Sequence, residues 1–165
     1  MPPSELERTV QWSVLDRLID TNPDSGSEAP LTWAQSVHEL KRGLRRDLEW
    51  LLNTRRIVTP APEGFTELAQ SLYHFGLPDI TSSSAESTDT RNWLRRQVEE
   101  TIMLFEPRLA DVHVTVAAVG DLARREVRFV VEALLLMEPS PEQVVFDTVL
   151  EISSATFEVK GAADA

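Results

Sequence analysis

Carboxylates, arginines and histidines are the residues of this chain that could support a reaction or a binding site. Cysteine is absent from the 165 residues, which excludes thiolate catalysis, disulfides and cysteine zinc sites. The three histidines, His38, His74 and His113, lack the spacing of metal ligands. Neither a Gly-x-Ser-x-Gly turn nor a glycine-rich phosphate loop occurs. We therefore expect no metal and no cofactor.

Two carboxyl groups on either side of a sugar site could hydrolyse a glycoside, provided that one of them acts as the acid. The residues that could form such a pair are Glu99, Glu100, Glu106 and Asp111. Because the chain contains 27 Asp and Glu, some such pair is found whether or not it has a role. A peptidoglycan hydrolase is therefore only an alternative.

Three short segments carry side chains suited to binding a partner. The first ends a helix with an asparagine and two arginines, whose charge complements the negative end of the helix. The second is a tight turn with apolar ends, and the third places a proline between a carboxylate and a guanidinium, which can form paired hydrogen bonds. They comprise Asn53, Thr54, Arg55 and Arg56 (the first segment), Leu77, Pro78 and Asp79 (the second segment), and Glu106, Pro107 and Arg108 (the third segment).

Each segment also has a purely structural explanation. The first is explained by a charged helix cap, and the second by a turn held against the core through its apolar ends. The third is explained by an internal salt bridge between Glu106 and Arg108. The residue types alone leave both interpretations open.

Apolar residues spaced three and four apart predict the helices that position these segments. The pattern indicates a helix over residues 4–19 and a long helix from Trp33 or Ser36 to about Asn53. It further indicates a short helix over 66–73 and a third long helix from Thr88 or Thr90 to Phe105. Pro107 disfavours helical backbone angles at the residue before it, which ends this last helix.

After the third segment the hydrophobic period changes from about 3.6 to 2, which is typical of strands buried on one face. A chain with helices first and an antiparallel β-meander second is an α+β domain. The strands are predicted over residues 112–118, 127–135, 144–152 and 156–160, with a turn at Gly120 and Asp121.

The composition between these elements predicts the domain organisation. Residues 22–30 and 81–87 are rich in Ser, Pro, Asp and Glu, which is typical of loops and linkers. We expect an N-terminal helix and mobile loop over 1–35, a single domain over 36–160 and a flexible tail over 161–165.

The charge balance bears on the class of partner. With 16 Lys and Arg against 27 Asp and Glu, the net charge is −11, although residues 37–56 contain six of the basic residues. Nucleic acid is a poor partner for such a surface, because phosphate binding depends on clustered cations. Residues 1–5 lack the basic patch and the apolar stretch of a signal peptide, and no apolar run approaches the length of a membrane span. We expect a cytoplasmic protein without membrane insertion.

The three segments, taken in order, resemble the signature of the TssE family. The similarity lies in the helix that ends with the first segment, in the stretch from Ser71 to Asp79, and in Phe105 to Leu109, and it extends over roughly residues 36–159. His74 is a departure, because the family more often has Asn there. TssE proteins are type VI secretion baseplate components similar to the small lysozyme-like wedge proteins of contractile phage tails.

This resemblance implies a structural protein of the baseplate rather than an enzyme. Its partners would be the wedge proteins TssF, TssG and TssK and the sheath proteins TssB and TssC. In the family, the motif matched by Glu106, Pro107 and Arg108 is thought to hold the protein on the wedge. The sheet is thought to accept extended arms of the first sheath ring, which is strand addition at an open edge.

Overall fold

The computed structural model describes residues 10–19, 23–24, 26, 31–59, 62–80, 87–119 and 126–161. Contacts divide the chain into two compact units, Met1–Arg46 and Asp47–Ala165. The domain boundaries expected from the sequence remain predictions. The predicted turn at Gly120 and Asp121, the linker before Ser87, most of the loop at 22–30 and the tail after Gly161 lie outside the described residues.

Helix α1, Val14–Leu18, is shorter than the sequence pattern predicts. Residues 1–9 are outside the described part, and residues 10–13 are not helical. The Ser13 side chain accepts a hydrogen bond from the backbone N–H of Asp16, so Ser13 is the N-cap and the helix starts after it. Upstream, the backbone N–H of Val10 donates to Ser36 Oγ, and the indole N–H of Trp12 donates to the Ser36 carbonyl.

Helix α2, Trp33–Asn53, confirms the predicted long helix. A capping box fixes its start, because Thr32 Oγ1 accepts from the Gln35 N–H while Gln35 Oε1 accepts from the Thr32 N–H. At its end, Thr54 Oγ1 donates to the Trp50 carbonyl at 2.7 Å. The apolar stripe of the helix is buried at Leu40, Leu44, Leu48, Leu51 and Leu52.

The short helix predicted over 66–73 is two 3-10 turns, Thr66–Gln70 and Leu72–His74. Ser71 separates them, because its hydroxyl donates to the Leu68 carbonyl and accepts from the Tyr73 N–H. Helix α3, Thr88–Phe105, has the predicted bounds, with Ser87 as its N-cap. It buries Leu94, Val98, Thr101 and Ile102.

The sheet has four antiparallel strands in the order β1-β2-β3-β4, which confirms the predicted meander and the α+β class. The strands are β1 Leu109–Val119, β2 Glu126–Leu135, β3 Glu142–Glu151 and β4 Thr156–Gly161. Strand β1 starts three residues earlier than predicted. Its pairing with β2 shifts register between Ala110 and His113, where Asp111 has a φ of 50°.

One face of the sheet is buried and the other is accessible. In β2 the buried residues alternate with accessible ones as predicted, and α3 packs against β1 on the buried side. The buried side chains of the other strands include Val114, Val144, Phe146, Leu150, Phe157 and Val159. Strands β1 and β4 form the two edges, next to α3 and to the end of α2 respectively.

Candidate partner-binding site

The structure brings the first and second segments together directly after α2. Arg55 and Leu77 form a parallel β-bridge, in which the Leu77 N–H donates to the Thr54 carbonyl at 2.8 Å. The Arg56 N–H in turn donates to the Leu77 carbonyl at 2.9 Å. The two segments, separated by about twenty residues of sequence, therefore form one small piece of sheet.

Gly76 is required for this close approach. Its φ is +97°, a conformation that residues with a side chain rarely adopt. A Cβ atom at this position would lie 2.2 Å from the Thr54 carbonyl oxygen, which is far inside van der Waals contact. Glycine is thus the only residue that fits the backbone angle and the contact together.

Asn53 holds the end of α2 against the sheet. Its Nδ2 donates to the Phe157 carbonyl at 2.9 Å, and its Oδ1 accepts from the Phe157 N–H at 2.8 Å. The side-chain amide thereby pairs with the backbone of β4 as a peptide group of a neighbouring strand would.

The third segment forms an internal ion pair at the corner between α3 and β1. Arg108 Nε donates to Glu106 Oε1 at 2.7 Å, and Arg108 Nη2 donates to Glu106 Oε2 at 2.6 Å. This is the two-point geometry that a guanidinium and a carboxylate prefer. Arg108 Nη2 also donates to Asp47 Oδ2 at 2.8 Å, which joins the corner to α2.

The electrostatics of the corner favour the charged form of Arg108. The hydrogen bond to Glu106 raises the pKa of the guanidinium above its usual range, burial opposes this rise, and Asp47 adds to it. Glu106 is the most buried member, with 7% of its side chain exposed, against 25% for Arg108. Arg108 Nη1 is buried and has no hydrogen-bond acceptor among the described residues.

Side chains next to the segments connect the corner to the bridge. The rings of Phe75 and Phe105 meet edge to face with centroids 5.3 Å apart. Arg56 Nη2 donates to Gln97 Oε1 on α3 at 3.2 Å. All three segments therefore lie within the unit Asp47–Ala165 and are tied to one another by contacts.

The corner presents an apolar surface. Pro107 is exposed, and Met103 and Leu104 just before it are 61% and 45% exposed. Leu136 is 49% exposed and its N–H donates to the Arg108 carbonyl, so it lies beside the corner. The ion pair is thus internal, while the residues around it are available to a partner. In the other two segments Arg55 and Asp79 are exposed, and Thr54 and Pro78 are half-buried.

Of the four carboxylates considered for glycoside hydrolysis, Glu99 and Glu106 have structural partners. Glu106 is bound by Arg108, and Glu99 accepts from Arg95 Nη1 at 3.0 Å and from the Val114 N–H at 2.9 Å. Among the described residues, no three His, Asp or Glu side chains are grouped so as to hold a metal ion. Within the same residues, no helix is long and apolar enough to cross a membrane.

Comparison with known families identifies the fold. The model of the family described as Baseplate wedge protein gp25 matches residues 38–140, which is more than half of the chain and includes all three segments. The chain belongs to the baseplate wedge protein gp25 family. No curated protein matches the chain. Family membership confirms the resemblance found in the sequence and supports a structural role among baseplate components.

Two members of the site could not be identified from the sequence. Asp47 is 61 residues from Arg108 in sequence, and Phe157 is 104 residues from Asn53. No local pattern links residues so far apart. Gly76 carried a signal, since a glycine just before Leu77 and Pro78 is typical of a turn with positive φ, but its contact with Thr54 depends on the fold.

Proposed function

We propose that this gp25-family protein is the TssE-type component of a type VI secretion baseplate. In this proposal it works in the cytoplasm, docks on the wedge formed with TssF, TssG and TssK, and starts assembly of the TssB/TssC sheath. The observation that carries the proposal is that the family match contains all three signature segments, which the fold assembles around the ends of α2 and α3.

Docking on the wedge is assigned to the corner at the third segment. Because Glu106 and Arg108 bind each other, we assign them the task of holding the corner rigid. Contact with the partner then falls to Pro107 and to the exposed apolar side chains of Met103, Leu104 and Leu136. Exposed apolar side chains grouped in this way are typical of protein interfaces.

Initiation of the sheath is assigned to the sheet. An edge strand presents unpaired backbone groups, which an extended arm of another protein can pair with. A four-stranded meander has two such edges, β1 and β4, and therefore offers a template for the first sheath ring.

Co-purification from cells that assemble the apparatus tests this proposal. A tagged chain should retain TssF-type, TssG-type and sheath proteins. Met103→Glu should lose the wedge proteins, because it places a charge in the apolar contact. Arg96→Glu is the matched control, since Arg96 is an exposed residue of the same helix. Retention of wedge proteins by Met103→Glu would contradict the assignment of the corner.

We further expect no hydrolytic activity, because Glu99 and Glu106 are held by arginines. The assay is clearing of a peptidoglycan suspension by the purified chain. Clearing that disappears in Glu99→Gln, Glu100→Gln or Glu106→Gln would favour the hydrolase instead.

A further inference from the structure

Within the described residues, a helix side chain binds the backbone of one residue on each edge of the sheet. On β1 that residue is Val114, and on β4 it is Phe157. In an antiparallel pair, successive residues direct their N–H and C=O groups alternately to the neighbouring strand and away from it. Val114 and Phe157 are residues that direct these groups away from the sheet, where another strand would pair.

The β1 edge is closed by charged groups. The Val114 N–H donates to Glu99 Oε2 at 2.9 Å, and its carbonyl accepts from Arg95 Nη1 at 3.3 Å. Arg95 and Glu99 also pair with each other at 3.0 Å, and only about a quarter of each side chain is exposed. Hydrogen bonds to ionised groups are roughly twice as strong as those between neutral groups. An incoming strand would have to displace an ion pair here.

The β4 edge is closed by one neutral amide. Asn53 both donates to and accepts from Phe157, at 2.9 and 2.8 Å. Asn53 is an exposed residue at the end of α2, so its side chain can turn to solvent without uncovering a buried charge. A peptide group of another strand offers Phe157 the same donor and the same acceptor.

From this difference we infer that the β4 edge accepts the partner strand. In the absence of that strand, the Asn53 side chain occupies the hydrogen-bonding groups of Phe157. The inference rests on the proposed role in sheath initiation. Exchange of Asn53 for a strand keeps both hydrogen bonds of Phe157, so the free energy of binding comes from the remainder of the strand. Asn53 then competes with the arm, which keeps the isolated protein from pairing with unrelated strands.

Binding of purified TssB/TssC sheath heterodimer to the immobilised chain tests the inference. Asn53→Ala removes the competitor and should bind about tenfold more tightly, which corresponds to ~1.4 kcal/mol. Asn53→Asp should also bind more tightly, because a carboxylate oxygen replaces the amide donor and faces the Phe157 carbonyl. Glu99→Gln is the control for the β1 edge and should bind as the wild type does.

Amide hydrogen exchange of the isolated protein provides an independent readout. The Phe157 N–H should exchange faster in Asn53→Ala, while the Glu158 N–H, which pairs towards β3, should keep its rate. Equal Phe157 exchange rates in variant and wild type would overturn the role of Asn53 whether or not the sheath binds.

The binding results separate this inference from the proposed function. If the wild type binds the heterodimer and neither Asn53 variant binds it more tightly, the inference is overturned. The proposed role in sheath initiation is then unaffected. Tighter binding by Glu99→Gln alone would overturn the inference, because the partner strand would then pair with β1. Absence of binding by the wild type and by every variant would overturn sheath initiation itself, and the inference with it.

Discussion

Replacement of Arg108 by methionine should destabilise the protein strongly, although the apolar length of the side chain is retained. The change removes the two side-chain hydrogen bonds to Glu106 and the one to Asp47, and among the described residues leaves only the backbone N–H of residue 108 as a donor to the Glu106 side chain. Glu106 is then left as a carboxylate with 7% of its side chain exposed and without its counter-ion. A buried charge that loses its partner is far more costly than an exposed one.

The magnitude follows from the burial of the pair. Breaking a buried ion pair costs roughly 3 to 5 kcal/mol, and we expect the lower end, about 3 kcal/mol, because Arg108 is 25% exposed. For a chain of this size each 1 kcal/mol shifts the melting temperature by roughly 2 to 4 °C. The expected decrease is therefore about 6 to 12 °C. Because the pKa of Arg108 is raised in the folded state above its value in the unfolded chain, its stabilising contribution is fully present at neutral pH and is lost only at strongly alkaline pH.

Thermal unfolding followed by circular dichroism measures this effect, with Arg96→Met as the matched control at an exposed arginine. Asp47→Asn should cost less than Arg108→Met, because Asp47 receives one of the three side-chain hydrogen bonds. The double variant Arg108→Met with Glu106→Gln should recover part of the loss. A decrease in melting temperature of under about 2 °C for Arg108→Met, no larger than that for Arg96→Met, would show that the ion pair does not stabilise the fold.

Three further changes test single features of the fold. Gly76→Ala should lower the free energy of unfolding by at least about 2 kcal/mol or prevent folding, because its Cβ would clash with the Thr54 carbonyl. An unchanged urea midpoint would contradict this close approach. Thr148→Val should stabilise the protein by about 1 kcal/mol, because Thr148 Oγ1 is buried without a hydrogen-bond partner in the described structure. A loss of stability in urea unfolding would mean that the hydroxyl has a partner. Ser87→Ala should cost about 1 kcal/mol, because it removes the acceptor for the Asp89 N–H at the start of α3, and an unchanged urea midpoint would show that this cap contributes nothing.

The long helices and the sheet were predictable because their signals are local. The apolar spacing and Pro107 locate α3, and the alternation of apolar and polar residues locates β2. The start of α1 was not predictable in the same way. The apolar spacing continues through residues 10–13, which are not helical and in which Val10 and Trp12 donate hydrogen bonds to Ser36.

The partner-binding residues stay a prediction from the sequence, and most of the contacts among them could not be predicted. The pair of Glu106 and Arg108 is two residues apart, so an internal salt bridge could be considered from sequence. Its extension to Asp47 and the pairing of Asn53 with β4 join residues that only the fold brings together. The sequence had left Asn53 either as a helix cap or as a partner-binding residue, and no local pattern indicated its hydrogen bonds with Phe157.

Sheath formation in living cells whose own copy of this gene is deleted tests the proposed role in sheath initiation. A fluorescent sheath subunit reports the number of sheaths in each cell. We expect sheaths to disappear in the deletion and to return when the wild-type chain is supplied, but not when Met103→Glu is supplied at equal levels. Normal numbers of sheaths in the deletion would contradict the claim that this protein starts sheath assembly.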